Sequence, residues 1–197
     1  MSGFPLVEIS ADRLILRAFG ADDIVHVRAL LENEERTALP PGSPADTEDL
    51  PRWLGEGLDE FRQSGNGIHL MMQDKVLGVP VGAIGLFRAD WEARSAEVGY
   101  GVSSGYRSKG YATEALAALT GWALSGGGMQ RIQLTANTDN TGSVRVAEKA
   151  GFLREGTLRR AAPEDDGLHD VAVFSRLDDD QPCGSPLSYR TTASRGD

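Results

Sequence analysis

Apolar positions along the chain follow two rhythms. Alternation with a period of two predicts strands at Arg13-Leu-Ile-Leu-Arg17, Ile68–Gln73, Val79–Arg88 and Ser95–Val102. Ile132, Leu134 and Ala136 alternate with Gln133 and Thr135 in a fifth strand, and Leu153–Arg160 and Leu168–Leu177 close the series. Helical spacing takes over elsewhere. Ile24, Val27, Leu30 and Leu31 follow a capping signal at Ala21-Asp-Asp, and a second helix is predicted over Glu48–Gln63. Ala112, Ala115, Leu116, Leu119 and Ala123 make one apolar stripe in a helix over Ala112–Ser125, stopped by Gly126-Gly-Gly128. Ser143–Ala150 is a short helix ended by Gly151. Loops are expected at Ala38–Ala45, rich in proline, at Ser64–Gly67, and at Pro163–Gly167. The order β-α-α-β-β-β-α-β-α-β-β is an α/β arrangement with a mixed sheet: antiparallel hairpins first, then helical crossovers that permit parallel pairing.

After Leu177 the chain turns to Asp178-Asp-Asp180 and a stretch rich in Ser, Thr, Pro and Gly with little to bury. This predicts one domain over 1–177 and a disordered tail over 178–197. With 197 residues, 40% of them hydrophobic and 25% charged, the chain has an ordinary globular composition. It has no apolar run long enough for a transmembrane helix and no secretory signal, so no membrane partner and a cytoplasmic location are expected. The single cysteine, Cys183, fits a reducing compartment. A net charge of −9 argues against nucleic acid and suits a cationic acceptor such as an amine. His26, His69 and His169 are scattered without paired spacing, so no metal site is expected.

Chemistry concentrates at Gly105-Tyr-Arg-Ser-Lys-Gly-Tyr-Ala-Thr113, a glycine-punctuated loop carrying Arg107 and Lys109 straight into a helix. Such a loop offers backbone N–H groups and the positive end of a helix dipole to an anion near Gly110. A P-loop needs Lys after its second glycine, and here Tyr111 follows Gly110. A dinucleotide fingerprint needs three glycines, and position 104 is Ser. What remains is Arg-x-x-Gly-x-Ala at Arg107, Gly110 and Ala112 behind the strand Glu97-Val-Gly-Tyr-Gly-Val102.

That arrangement resembles the acetyl-CoA pyrophosphate loop of the GNAT superfamily of N-acetyltransferases. Arg13-Leu-Ile-Leu-Arg17 with Asp23, Glu97-Val-Gly-Tyr100, Asn140-Thr-Gly-Ser143, Ala147-Glu-Lys-Ala-Gly-Phe152, Glu155-Gly156 and His169-Asp170 carry the resemblance across residues 8–177. The pattern is similar to the ribosomal-protein N-terminal (Rim-type) acetyltransferase branch. One departure stands out: after the Glu-Gly strand comes Arg159-Arg-Ala-Ala162, with no acid until Glu164.

The resemblance implies a GNAT-like fold: a seven-stranded, mostly antiparallel sheet, splayed between its fourth and fifth strands and flanked by about four helices. It implies acetyl-CoA as acyl donor, no metal, and an amine acceptor that is a protein N-terminus or a small molecule. A monomer or a homodimer would serve. Arg107, Ser108, Lys109, Gly110, Tyr111, Ala112 and Thr113 would hold the pyrophosphate, and the backbone of Tyr100 and Val102 the pantetheine arm and thioester carbonyl. Glu97 becomes the candidate general base, although a carboxylate with an ordinary pKa of ~4.3 needs burial or a relay water for that task. Asn140 would contact the pantetheine or orient a water, and Ser143 would bond the thiol sulfur as its proton donor; both also suit capping of the helix they begin. Two other functions fit the same residues: aminoglycoside-type antibiotic acetylation, and a non-catalytic acyl-CoA-binding module.

Overall fold

The computed structural model describes residues 3–32, 39, 43–44, 46–164, 166–180 and 188–192. Alternation at β3 (Ile68–Asp74) shows how the layers form. Ile68, Leu70 and Met72 point into one core, whereas Met71 belongs to a second core on the opposite face. The strand is largely buried on both sides because helices cover both sides. The larger core packs the sheet against α4 (Tyr111–Ser125) and α5 (Thr141–Lys149). The smaller one gathers Val27, Leu30, Leu39, Leu50 and Leu54 from α1 (Ile24–Glu32), α2 (Leu50–Arg52) and their surroundings. A π-helical turn, Trp53–Gly57, joins α2 to α3 (Leu58–Gln63), so residues 50–63 run as one helix starting two residues later than its predicted boundary.

The remaining strands are β1 (Leu6–Ser10), β2 (Leu14–Arg17), β4 (Pro80–Asp90), β5 (Ser95–Val102), β6 (Arg131–Asn137), β7 (Leu153–Glu164), β8 (Gly167–Leu177) and β9 (Ser188–Thr192). They form a nine-stranded sheet in the order β7-β8-β6-β5-β4-β3-β2-β1-β9, where seven strands were expected. The two additions are β1 and β9, which pair antiparallel with each other. Residues 178–197 were expected to lie outside the fold, yet Ser188–Thr192 hydrogen-bonds along β1, and the Tyr189 ring lies over Gly126 at the end of α4. Backbone pairing along an open strand edge needs no apolar run, so composition alone did not reveal it. Residues 181–187 and 193–197, and most of the predicted loop 38–45, lie outside the described residues.

Every neighbouring pair is antiparallel except β5 and β6. These two run parallel, matched only at Ser95↔Arg131, Ala96↔Ile132 and Glu97↔Gln133. Beyond Glu97 the strands part, and the opening falls between the fourth and fifth of the predicted strands. Among the described residues, no helix is long and apolar enough to cross a membrane.

Candidate active site

The splay is bounded by β5 on one side and by β6 with the start of α5 on the other. Ser103 N–H donates to Val81 O at 3.0 Å, so its backbone faces β4. By strand alternation the backbones of Val102 and Tyr100 then face the opening, away from β4. Arg107 folds back to donate from Nε to the Val102 carbonyl at 2.9 Å, which closes the loop onto the strand it leaves.

The loop itself is a 3-10 turn, Ser104–Tyr106, followed by two entries into left-handed backbone: Ser108 at φ 61° and Gly110 at φ 85°. Gly110 is the N-cap of α4 and no side chain caps the helix. Glu114 N–H is the first to reach back to it, at 3.1 Å from Gly110 O. The N–H groups of Tyr111, Ala112 and Thr113 therefore project from the helix end without intrahelical acceptors, the geometry that takes a phosphate. Lys109 Nζ donates to Gly105 O at 2.9 Å and lies 5.2 Å from the Tyr106 ring centroid. With Arg13 and Arg107 it gives the loop a positive surround in an acidic chain.

Contacts from far along the chain hold the loop. Glu114 Oε1 accepts from the Arg13 and Leu14 N–H groups at 2.6 and 3.0 Å, and Arg13 Nε donates to Glu114 Oε2 at 2.8 Å. Arg13 Nη1 also donates to Lys109 O at 2.9 Å, and the guanidinium carbon stands 4.8 Å over the Tyr111 ring. Tyr111 is buried and donates its hydroxyl to Asp74 Oδ2 at 2.6 Å. The hydrogen-bonded Tyr111 hydroxyl and the Val76 and Leu77 N–H groups hold the Asp74 carboxyl below its ordinary pKa, Leu77 first among them. The Tyr111 ring packs on the core and edge-on to Tyr106 of the loop, and its N–H is among those at the open helix end.

Glu97 sits at the closed end of the splay on the opposite face of β5 from Ala96 and Val98. Its side chain is 19% exposed and accepts from Arg88 Nη1 at 2.8 Å and Gln133 Nε2 at 3.4 Å. The polar contacts continue across the sheet: Arg131 Nη2 donates to Gln133 Oε1 at 3.3 Å and reaches Glu155 Oε2 at 2.6 Å. The Arg131 and Ser175 hydrogen bonds push the Glu155 carboxyl down to about 2. Arg88, held at φ 50° where the β4–β5 register shifts, was not foreseen as a Glu97 partner. An amine using Glu97 as a base must compete with that guanidinium.

Asn140 is the N-cap of α5: its Oδ1 accepts from Ser143 N–H at 3.0 Å. The helix begins at Thr141, two residues before its predicted start. Asn140 and Ser143 are thus brought together at the start of α5, which follows β6. Glu97 is not with them; it lies three residues before Tyr100 on β5 and on its other face.

Beyond Asn140, the hairpin of β7 and β8 folds against the loop. His169 Nδ1 lies 3.0 Å from Asp139 Oδ2 and its Nε2 2.7 Å from Asp166 Oδ1, and Asn137 Nδ2 donates to Glu164 Oε1 at 2.7 Å. The Asp166 hydrogen bond, with Asp139, raises the His169 pKa. The two Arg residues of the motif departure line a cavity of about 750 Å³ with Asp170.

A family model described as an acetyltransferase (GNAT) domain matches residues 13–153. The chain belongs to the GNAT acetyltransferase family. It is 27% identical over 172 residues to the uncharacterized N-acetyltransferase YoaA of Bacillus subtilis (strain 168), covering 87% of this chain and 96% of that one. It is 31% identical over 112 residues to the ribosomal-protein-serine acetyltransferase of Escherichia coli (strain K12), covering 57% of this chain and 60% of that one. The fold is shared with RimL, a ribosomal L7/L12 alpha-N-protein acetyltransferase solved in complex with coenzyme A (TM-score 0.75, 20% identity, 86% of this chain and 97% of that one). This GNAT chain is thus an acetyltransferase that resembles the Rim branch.

Proposed function

We propose that the protein moves the acetyl group of acetyl-CoA to a primary amine by direct attack on the thioester, and that its acceptor is a peptide N-terminus. One observation carries the first part: an uncapped helix N-terminus, entered through left-handed backbone at Ser108 and Gly110, stands at the end of a strand that parts from its parallel neighbour. Backbone N–H groups of Ser108 to Thr113 take the pyrophosphate, with the charges of Arg107 and Lys109 beside it. The pantetheine arm lies in the splay along Tyr100 and Val102. Asn140 and Ser143 close the far side. Glu97 accepts the amine proton through water from the opposite face of the sheet.

The acceptor is supported by the named activities of the Escherichia coli relative and of RimL, both of which act on ribosomal proteins. Carboxylates of Asp139, Glu164 and Asp166 at the hairpin offer a negative rim to a protonated amine. The test is thiol release from acetyl-CoA, followed with a chromogenic disulfide, against N-terminal peptides, polyamines, aminoglycosides and free amino acids. Turnover with peptides supports the reading. Turnover with aminoglycosides alone makes it an antibiotic-modifying enzyme, and calorimetric binding of acetyl-CoA without turnover on any amine makes it a binding module.

A further inference from the structure

Two guanidiniums differ from the others near the site. Arg13, Arg88 and Arg131, around the loop and the splay, each hold a carboxylate. Arg159 and Arg160 are exposed, and among the described residues neither side chain has a hydrogen-bond or ion-pair partner. The backbone places them. Between Leu158↔Val171 and Ala162↔His169 the β7–β8 register shifts, so residues 159–161 oppose Asp170 alone. Arg160 stands at φ 54°, a conformation costly for any residue but glycine. Asp170 Oδ1 accepts the Arg160 N–H at 2.8 Å and holds the bulge in that shape. Bulges of this kind re-aim side chains, often beside active sites.

The bulge is tied to the candidate site. Asp170 O accepts from Thr138 N–H at 2.9 Å, in the loop that leads to Asn140 and α5. Arg159, Arg160 and Asp170 together line the cavity of about 750 Å³. Neighbouring acids are engaged elsewhere. Asp139 and Asp166 both meet His169, and Glu164 meets Asn137. In a chain of net charge −9, two adjacent cations without a carboxylate make a local positive field at a cavity. The motif departure at Arg159-Arg-Ala-Ala162 thereby acquires a chemical meaning.

We propose that Arg159 and Arg160 form a subsite for an anionic group of the acceptor: the carboxylate of an Asp or Glu side chain within a few residues of the amine that is acetylated. This rests on the peptide-acceptor reading above and narrows it to acidic N-termini. A guanidinium is a planar, two-pronged donor that matches a carboxylate, and its charge is permanent. The subsite docks the acceptor and touches no reacting atom. It therefore lowers KM for an acidic acceptor and leaves kcat alone, the signature of uniform binding. Acetyl-CoA carries anionic phosphates too, so donor and acceptor must be separated by experiment.

The test uses peptides with a free N-terminal amine and an amidated C-terminus, identical except for Glu, Gln or Lys at the second, third or fourth position. Initial rates of thiol release give KM and kcat for each. At one or more of these positions the wild type should show a KM about tenfold lower for Glu than for Gln, a higher one for Lys, and similar kcat. The preference should shrink as salt is raised. Arg159→Glu should reverse it in favour of Lys. Arg160→Gly, which removes the charge and suits the left-handed backbone, should weaken it. Equal KM for the Glu, Gln and Lys peptides in the wild type overturns the proposal while leaving peptide acetylation intact. So does a preference for Glu that survives in Arg159→Glu. A loss of acetyl-CoA affinity in both variants, measured by calorimetry, overturns it as well and assigns the arginines to the donor's phosphates. If the wild type turns over no peptide at all, the peptide-acceptor reading itself fails, and the proposal with it.

Discussion

On the α4 side of the opening, the loop that faces the cofactor is fixed by residues from the other end of the chain. Arg13 and Glu114, 101 positions apart, bridge it, and Asp74 anchors Tyr111 from beneath. Helix α4 buries Tyr111, Ala115, Leu116, Ala118, Leu119, Thr120, Trp122 and Ala123, more than the single stripe its sequence suggests. On the other side, β7 exposes nearly every residue from Leu153 to Glu164, and the hairpin is tied to the site by hydrogen bonds among exposed or half-exposed polar groups. A ligand common to a family needs one rigid geometry, which a packed core supplies. An acceptor that varies between relatives can be served by exposed side chains that change without disturbing the core.

The largest effect should come from the same truncation made on each side. Leu116→Ala removes a side chain with no exposed surface and should destabilise the fold by about 2–5 kcal/mol. Leu158→Ala, at 54% exposure, should cost under about 0.5 kcal/mol. Urea unfolding of both variants measures the difference, and similar midpoints would dissolve the contrast.

The histidines carry the comparison into pH. Burial against the stacked Phe61 ring lowers the His69 pKa to about 4, below its ordinary 6.5. The unfolded chain therefore binds the extra proton between those values, and stability falls as pH drops through that window, by about 3 kcal/mol at its lower end. His169 has the opposite sign: its pKa is raised, so its contribution is full below pH 6.5 and fades as pH rises through the raised value. Melting curves of His69→Gln and His169→Gln against pH should flatten in the acidic and the near-neutral range respectively. An unchanged acid slope in His69→Gln would contradict the burial account.

Glu97→Gln tests Glu97 as the base for the acceptor amine. It should lower kcat by about a hundredfold while leaving acetyl-CoA affinity alone. A loss of affinity with kcat preserved would make Glu97 a structural partner of Arg88. Gly110→Ala is the smallest perturbation. An added Cβ meets only the flexible end of Arg13, at 3.3 Å, but the φ of 85° strains it. A tenfold loss of acetyl-CoA affinity is expected by calorimetry, with melting lowered by a few degrees.

Local features were readable from the residues. The Arg107–Gly110–Ala112 spacing, the apolar run of α4 and the alternation of Ile132, Leu134 and Ala136 each lie within one element and follow from periodicity. Features made by distant partners were not. Neither Arg13 nor Glu114 announces the other, and Arg88 reaches Glu97 because a register shift holds it at positive φ. β9 escaped notice because its partner β1 lies at the far end of the chain and the stretch between Leu177 and Ser188 is polar.

The most direct measurement is a calorimetric titration of acetyl-CoA into wild-type protein and into Gly110→Val, where a β-branched side chain is forced into left-handed backbone. The account predicts one molecule bound per chain by the wild type and binding abolished in a variant that still melts cooperatively. Absence of binding to the wild type, or equal affinity in the two proteins, would contradict it.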